Sequence, residues 1–260
     1  MTGSGEAAGR VGTALVTGAG ARVGRAVAVE LARAGLTVAI HHRSSRAGAE
    51  ETLAACRAAG GDGFLVHADL GTVEGAESLA HEVAARCASL DVLVHNASAF
   101  EAVPFERASI GHLDAMLTVH VRAPFVLTRA LLPLLRAGGV AAGRAAGEGG
   151  LVVALTDIGA ERPLPGHAAY SVSKAGLAML VKALAVELAP SVRAVGVSPG
   201  QVAWPPDYDD ETRARIARRI PMGRVGTPED VARLVRFLTL EAPYLNGVIV
   251  DVDGGLAVRY

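Results

Sequence analysis

Seven short apolar runs recur along the chain, separated by segments in which apolar residues return every three or four positions. The runs are TALVTG, LTVAIHH, GFLVHADL, LDVLVHNAS, GLVVALTD, VRAVGVSPG and GVIVDVDGG. Each is rich in Val, Leu and Ile and closes on turn residues, as a fully buried strand does. The intervening segments include VGRAVAVELARAG, AESLAHEVAARCA, HLDAMLTVHVRAPFVLTRALLPLLR and AYSVSKAGLAMLVKALAVELA. This alternation predicts an α/β fold: one doubly wound Rossmann-type domain with a seven-stranded parallel sheet and helices on both faces.

The pattern assigns residues 11–260 to this single domain and residues 1–10 to a flexible tail. The Gly/Ala-rich stretch 137–150 is typical of a mobile loop before the fifth strand. Residues 200–226 form a long insertion after the sixth strand, with the only Trp and a short charged helix. Ligands in open α/β sheets bind beyond the carboxyl ends of the strands, so we expect this insertion to be a substrate lid.

Composition narrows the class of protein without revealing chemistry. The 260 residues are 51% hydrophobic with a net charge of −1, which gives no electrostatic case for nucleic acid or an anionic membrane. Cys56 and Cys87 read as buried reduced thiols, and the eight histidines lack metal-ligand spacing, so no metal is expected. The N-terminus shows no signal peptide and no apolar run reaches about 18 residues, which favours a cytoplasmic protein.

The first predicted strand ends in TGAGARVG, Thr17 to Gly24, and a helix follows. Glycines let a backbone approach a pyrophosphate, and a helix N-terminus presents free N–H groups to it, so this turn predicts a dinucleotide site. The second strand ends in HHRSS, without the Asp or Glu that usually binds the ribose of NAD. His42, Arg43 and Ser44 offer positive charge and donors for a 2′-phosphate, which favours NADPH; the alternative is a solvated basic turn.

The stretch YSVSK places one of four tyrosines, Tyr170, four residues before one of two lysines, Lys174. Residues at this spacing share one helix face, so the pair can be a packed tyrosine beside a surface lysine. Alternatively the pair is catalytic. A buried ammonium one turn away favours the phenolate, and we then expect it to lower the pKa of the phenol from its usual value of about 10.

Taken together, TGAGARVG, HNAS, YSVSK and SPG resemble the short-chain dehydrogenase/reductase family over nearly the whole chain. The resemblance implies that Tyr170 donates a proton and that Lys174 holds the nicotinamide ribose. Asp157 joins them as the third catalytic residue in the subgroup to which the departures described next point. The cofactor-binding residues that it implies are Gly18, Arg22, Val23, Gly24, Asp69, Leu70, Asn96, Ala97, Ser98, Pro199 and Gly200.

Three departures from the family pattern point to a subgroup. Arg22 stands where the family usually has glycine, Asp157 where it usually has serine, and HNASAF replaces the commoner NAG and brings Phe100. Arg22 can brace the diphosphate, reach a substrate or point to solvent. Asp157, when ionised, cannot donate to a ketone but can relay a proton to Tyr170, unless it only caps a turn. Phe100 can stack on a flat heterocycle or pack as ordinary core.

These departures resemble the pteridine reductases, which implies reduction of a dihydropterin or oxidised pterin to the tetrahydro level by NADPH. In that subgroup Phe100 would stack the pterin, Arg22 and Ser98 would bind its polar edge, and Trp204 would lie in the closing segment. The main alternative is a carbonyl reductase of the 3-oxoacyl type, and a remote alternative is a non-catalytic NADPH sensor. The resemblance also implies a homotetramer. His120 replaces the asparagine that the family carries on a helix, and the sequence leaves its function open.

Overall fold

The computed structural model describes residues 12–139, 149–204 and 209–259. In this part of the chain, seven parallel strands form one sheet in the order β3-β2-β1-β4-β5-β6-β7, which confirms the predicted doubly wound fold. The strands are β1 (Thr13–Val16), β2 (Thr37–His42), β3 (Asp62–His67), β4 (Val92–His95), β5 (Leu151–Leu155), β6 (Arg193–Pro199) and β7 (Ile249–Val252). The order reverses between β1 and β4, where a crevice opens at their carboxyl ends.

Helices cover both faces of the sheet. They are α1 (Arg22–Arg33), α2 (Arg46–Ala58), α3 (Val73–Arg86), α4 (Ile110–Leu117), α5 (Ala123–Ala137), α6 (Ala168–Glu187), α7 (Asp210–Ala217) and α8 (Pro228–Leu240). One apolar core lies under α1, α2 and α8, and a second lies under α3, α5 and α6. Each strand therefore contributes apolar side chains to two separate cores, which explains why its sequence is apolar at consecutive positions.

The expectation that all seven strands are fully buried is wrong for the two outermost ones. Strands β3 and β7 each have a single neighbour in the sheet and contain exposed residues, including Asp62 and Asp251. A strand at the edge of a sheet is open to solvent along one side, so polar residues are tolerated there.

The long segment predicted as one helix after β4 is interrupted. A π-helical turn, Thr118–Arg122, separates α4 from α5 and carries His120. By length and composition alone, Ile110–Ala137 and Ala168–Glu187 are long and apolar enough to cross a membrane. Both segments supply residues to the core beneath α3, α5 and α6.

Three predicted segments fall partly or wholly outside the described residues. The predicted tail 1–10 does so entirely, and so does most of the predicted loop 137–150. Within the predicted lid 200–226, residues 205–208 are outside and the rest contains α7. Helix α7 has no buried residue, whereas Ile220, which follows it, is buried.

Candidate functional site

The glycine-rich turn lies between β1 and α1, at the point where the strand order reverses. Gly18 has a φ of +64°, which strains any residue with a side chain. A Cβ on Gly24 would lie 2.3 Å from the Gly18 carbonyl oxygen, so only glycine permits this close approach. Ala21, the N-cap of α1, gives the helix no side-chain hydrogen bond. The first N–H groups of α1 are therefore open to an anionic ligand.

Asn96 ties this turn to the end of β4. Its side-chain Nδ2 donates to the Thr17 carbonyl at 2.8 Å and to the Gly18 carbonyl at 3.1 Å. In return, the Thr17 hydroxyl oxygen accepts from the backbone N–H groups of Asn96 and Ala97, each at 2.9 Å. Asn96 and Ala97, predicted to support the cofactor, thus hold the shape of the glycine turn.

Arg22 opens α1 with a φ of +50°, the only positive φ of a non-glycine residue in the described chain. That conformation suits glycine, which explains why a family with this turn commonly has glycine at the same place. The side chain of Arg22 is exposed. Val23, the next residue, is half-buried against the apolar core under α1.

His41, which the sequence reasoning passed over, belongs to the site. Its Nδ1 accepts from the Gly18 N–H at 3.0 Å, and its Nε2 lies 3.2 Å from the Ala68 carbonyl. The Nε2 atom therefore carries the proton, and the neutral ring links the ends of β1, β2 and β3. Burial is the main cause that lowers the pKa of His41 to about 4, which keeps the ring neutral at physiological pH.

His42 does not supply the positive charge predicted for it. Its ring is buried, lies 5.3 Å from the ring of His67, and has a lowered pKa, first through burial and then through His67. The positive charge at this end of the site comes from Arg43, which is exposed and lies 3.8 Å from Asp69.

A cavity of about 300 Å³ runs along this end of the sheet. The residues that line it include Gly18, Gly20, Ala21, His41, His42, Arg43, Ser44, Ser45, Asp69, Leu70, Gly71, Ser98, Ala99 and Val119. A cavity with three glycines in its wall, an open helix N-terminus beside it and the basic side chain of Arg43 in its lining fits a dinucleotide phosphate. The predicted residues Ser44, Asp69 and Leu70 all lie on its wall.

Asp157 and Tyr170 meet beside this cavity. The Tyr170 hydroxyl donates to Asp157 Oδ2 at 2.9 Å, while Asp157 Oδ1 accepts from the Gly159 N–H at 2.6 Å. Asp157 thus caps a 3-10 turn and also contacts the phenol, which is the contact that a proton relay to Tyr170 would need. The pKa of Tyr170 is raised, first by burial and then by the carboxylate of Asp157. The expected lowering by Lys174 is therefore not found, because burial and a nearer negative charge outweigh the ammonium group.

Lys174 is buried one helical turn after Tyr170. Its Nζ donates to the Leu155 carbonyl at 2.7 Å and lies 5.7 Å from the centre of the Tyr170 ring. Burial lowers its pKa to about 8, and the negative charge of Asp157 opposes that shift. A surface lysine is thereby excluded, since this ammonium group is enclosed next to the phenol.

Phe100 stands at the mouth of the site and is not a core residue, because 54% of its surface is exposed. The ring stacks on His167 at 4.5 Å and meets the edge of Tyr170 at 4.9 Å. His167, which the sequence reasoning missed, also lies against Pro165, with its Nδ1 2.9 Å from that carbonyl oxygen. No residue spacing in the sequence indicated this aromatic pair.

The remaining predicted residues lie around the same edge of the sheet. Pro199 ends β6, and Gly200 donates its N–H to Val252 at 3.1 Å. A Cβ on Gly200 would lie 2.7 Å from Asp253, so the close approach of these two loops requires glycine. Trp204 is half-buried in the segment that follows.

Comparison with known proteins agrees with this geometry. Residues 18–257 match the family described as enoyl-(acyl carrier protein) reductase. The chain is 34% identical to 1-cyclohexenylcarbonyl-CoA reductase of Streptomyces collinus, with 97% of this chain and 89% of that protein covered. It is 30% identical to 3-oxoacyl-[acyl-carrier-protein] reductase of Synechocystis sp., with 94% and 96% covered.

A solved structure shows the same architecture. The acetoin dehydrogenase from Enterobacter cloacae superimposes with a TM-score of 0.85 and 30% identity, covering 96% of this chain and 97% of that one. The glycine turn at the strand reversal, the Tyr170–Lys174 pair and these full-length similarities lead to one conclusion: the chain belongs to the short-chain dehydrogenase/reductase family.

Proposed function

We propose that this oxidoreductase uses NADPH to reduce a pterin, a dihydropterin or an oxidised pterin, to the tetrahydro level. The observation that carries the proposal is the hydrogen bond from the Tyr170 hydroxyl to Asp157 Oδ2 at 2.9 Å. A carboxylate at this place accepts hydrogen bonds and, when ionised, cannot donate one to a ketone oxygen. It suits a substrate whose reacting edge carries N–H or amino groups, as a pterin ring does.

Tyr170 starts in the protonation state that reduction needs. Burial and Asp157 raise the pKa of its phenol, so Tyr170 holds a proton at neutral pH, and the same shift makes it a weak acid that releases this proton only to a strongly basic atom of the substrate. An alcohol oxidation would instead need the ionised phenol as a base. In the proposed reaction, Tyr170 protonates a ring nitrogen, Asp157 holds the phenol in place, and Lys174 binds the ribose of the cofactor.

Phe100 supplies the second argument for a flat ligand. Its ring is more than half exposed and lies at right angles to the Tyr170 ring, with 4.9 Å between the centroids. Aromatic surface left open beside a proton donor favours stacking with a planar heterocycle over contact with a short aliphatic ketone. Ser98 lines the cavity and offers a polar contact there, and the exposed Arg22 follows directly after Ala21 of the cavity wall.

NADPH is the cofactor that the cavity favours. The end of β2 carries no acidic side chain before α2, and Arg43 and Ser44 stand where a 2′-phosphate of the adenosine ribose would bind. When bound, the cofactor supplies the hydride. The chain supplies the open N–H groups at the start of α1 for the diphosphate, and Lys174 for the second ribose.

A second candidate is reduction of a carbonyl group, and the comparisons favour it. The relatives quoted above are named for 3-oxoacyl and cyclohexenylcarbonyl thioesters, and the superimposed structure is an acetoin dehydrogenase. None of these names refers to a pterin. Carbonyl reduction at this site requires Tyr170 alone to donate to the substrate oxygen, because Asp157 occupies the place of the usual serine.

The test follows NADPH oxidation at 340 nm with dihydrobiopterin, dihydromonapterin and dihydrofolate, beside diacetyl, acetoacetyl-CoA and crotonyl-CoA. We expect turnover of a pterin. Turnover of the ketones or thioesters alone would reject the proposal in favour of the second candidate. No turnover of either class despite tight NADPH binding would support a non-catalytic NADPH sensor.

Asp157→Ser distinguishes pterin reduction from ketone reduction, because it places at this position the serine hydroxyl that is usual in the wider family and can donate a hydrogen bond to a ketone oxygen. We expect pterin turnover to fall by about 100-fold and ketone turnover to stay level or rise. Glu161→Ser is the matched control, since Glu161 follows the same 3-10 turn without bonding to Tyr170. A parallel fall on both substrate classes would show that Asp157 only supports the turn.

A further inference from the structure

His120 has a role that neither the family pattern nor the proposed function assigns. It lies in the π-helical turn between α4 and α5, is almost fully buried, and its ring meets that of Tyr170 edge-on at 5.5 Å. π-helical turns inside α-helices are frequently functional. Three polar contacts, one each to Ser98, Ala99 and Ser173, fix the ring, and they determine which of its nitrogens carries a proton.

The Nε2 atom of His120 is an acceptor. The backbone N–H of Ala99 points at it from 3.3 Å, and a backbone N–H can only donate. The Ser98 hydroxyl, 2.8 Å from the same nitrogen, therefore also donates to it. A neutral imidazole has one N–H, so the proton of His120 resides on Nδ1.

The contacts on the Nδ1 side of the ring also place the proton of His120 on Nδ1. The Nδ1 atom lies 2.8 Å from the Ser173 hydroxyl oxygen, and that hydroxyl donates its own proton to the Tyr170 backbone carbonyl at 2.7 Å. Ser173 can then only accept from Nδ1–H. The chain of hydrogen bonds ends at a backbone carbonyl, which cannot carry a proton onward.

Ser98 connects this network to the reacting phenol. Its hydroxyl interacts with the hydroxyl of Tyr170 and favours the ionised phenol, against burial and Asp157, which raise the Tyr170 pKa. Besides the Ala99 carbonyl oxygen at 3.4 Å, the single proton of Ser98 thus has two side-chain acceptors, His120 Nε2 and the oxygen of Tyr170. Which one it serves depends on whether Tyr170 still holds its own proton.

We propose that His120 is a positioning residue that holds the Ser98 hydroxyl beside Tyr170 without passing protons itself. While Tyr170 is a phenol, Ser98 donates to His120 Nε2. When Tyr170 has given its proton to the substrate, the Ser98 hydroxyl turns to the phenolate and stabilises it. The O–H bond of Ser98 and the Nδ1–H bond of His120 stay intact, so only the Tyr170 proton is transferred.

The surroundings keep His120 neutral while this happens. Burial first, and then the ammonium group of Lys174 on α6, lower its pKa to about 3. The other ionisable groups at the site are Tyr170 on the same helix, Asp157 in the turn after β5, and His167 immediately before α6. A charged imidazole would lose its Nε2 acceptor and release Ser98, so the neutral ring is what the arrangement needs.

The first test reads the tautomer directly, without substrate or cofactor. In protein labelled with ¹⁵N-histidine, long-range ¹H–¹⁵N correlation spectra distinguish Nδ1–H, Nε2–H and charged rings. We expect the His120 ring, assigned by its loss in His120→Asn, to be Nδ1–H from pH 5 to 8. His41 should show the opposite tautomer and serves as the internal control. An Nε2–H or charged His120 ring in this range would overturn the proposal.

The second test asks whether His120 acts through Ser98, using a double-mutant cycle. We expect His120→Leu and Ser98→Ala each to lower kcat by about 10-fold, and we expect the KM of His120→Leu to stay within about 2-fold of the parent. The double variant should be no slower than Ser98→Ala alone, because the two changes remove one interaction. If the fold-loss of kcat in the double variant equals the product of the two single losses, His120 acts independently of Ser98 and the proposal fails.

Two further variants separate positioning from structural damage. His120→Asn retains an acceptor and a donor, so we expect it to recover most of the kcat lost in His120→Leu. His112→Asn, on neighbouring α4, is the control for substitution in this helical segment. Should His120→Leu fail to fold, His120→Asn and the tautomer measurement still decide the question.

This inference rests on the proposed function only in taking Tyr170 as the proton donor. Both dihydrobiopterin and acetoacetyl-CoA are tried with the parent protein, and the double-mutant cycle is measured with each substrate that the parent reduces. If the parent reduces acetoacetyl-CoA and does not reduce dihydrobiopterin, the pterin proposal is rejected, and the cycle measured on the thioester still decides the role of His120. An Nε2–H ring together with pterin turnover would reject the role of His120 alone.

Discussion

The Tyr170 hydroxyl and the Asp157 carboxylate are 13 residues apart in the chain and share a hydrogen bond of 2.9 Å. Asp157 follows β5 and Tyr170 lies in the first turn of α6, so the intervening loop folds back and brings them together. Burial and this carboxylate raise the pKa of the phenol. The contact therefore makes Tyr170 a group that keeps its proton until a substrate accepts it.

The alkaline limb of the activity profile should report Lys174. Its pKa is lowered to about 8 by burial, so the ammonium loses its proton as the pH rises through 8. We expect kcat/KM to fall above that pH, because the neutral amine binds ribose hydroxyls less well. Lys182→Arg replaces the other lysine, which is exposed, and we expect its kcat/KM to fall above the same pH as in the parent protein. A flat profile up to pH 10 would contradict this assignment.

The same shift predicts the stability of the free protein. Between about pH 8 and 10.5 the unfolded chain holds a proton on Lys174 that the folded chain has released. The unfolded state then binds more protons, so the free energy of unfolding gains a rising contribution across this window. Comparing urea unfolding of Lys174→Met with the parent from pH 7.5 to 10.5 isolates that contribution, which the variant lacks.

Arg43 should decide the preference for NADPH over NADH. We expect Arg43→Ala to weaken NADPH binding by about 10-fold and to leave NADH binding nearly unchanged, since only NADPH has the 2′-phosphate. Arg46→Ala is the matched control, because Arg46 is equally exposed and pairs with Glu50 on α2. Fluorescence titration of both cofactors checks the result, and equal losses for the two would refute the assignment.

Arg22 should matter for ligand binding and not for stability. Its φ of +50° costs about 1 kcal/mol for a residue with a side chain, and glycine removes that cost. We expect Arg22→Gly to leave the free energy of unfolding unchanged or higher while the KM for pterin rises. Arg33→Gly, inside the last turn of the same helix, should instead lose about 1 kcal/mol. Urea unfolding of both variants gives the comparison.

A homotetramer is our proposal for the assembled protein. Helices α5 and α6 leave large apolar side chains exposed in the single chain: Phe125, Val172, Met179 and Val186. Such a surface is typical of an interface between copies. We expect a mass of four chains by light scattering and a smaller species for Val186→Glu. Ala54→Glu, an exposed position on α2, is the control and should give the same mass as the parent protein. A parent protein with the mass of one chain would reject the proposal.

Much of this protein is readable from its sequence, because some features depend only on local order. The inner strands of a parallel sheet need apolar residues at consecutive positions, and the two edge strands keep enough of them that all seven could be located. Glycine turns after strands indicate where phosphates bind. Tyr170 and Lys174 share a helix face by their spacing alone. The broad family, and with it reduction or oxidation by a dinucleotide, follows from such short-range signals.

The tertiary structure decided what depends on distant elements meeting. His41 rather than His42 reaches the glycine turn, because the pairing of β2 with β1 sets His41 beside the end of β1. The raised pKa of Tyr170 reflects burial and Asp157, which outweigh the nearby Lys174. The contacts of His120 with Ser98 and Ser173 span 22 and 53 residues. Residue spacing describes one element at a time, whereas these contacts exist only where several elements converge.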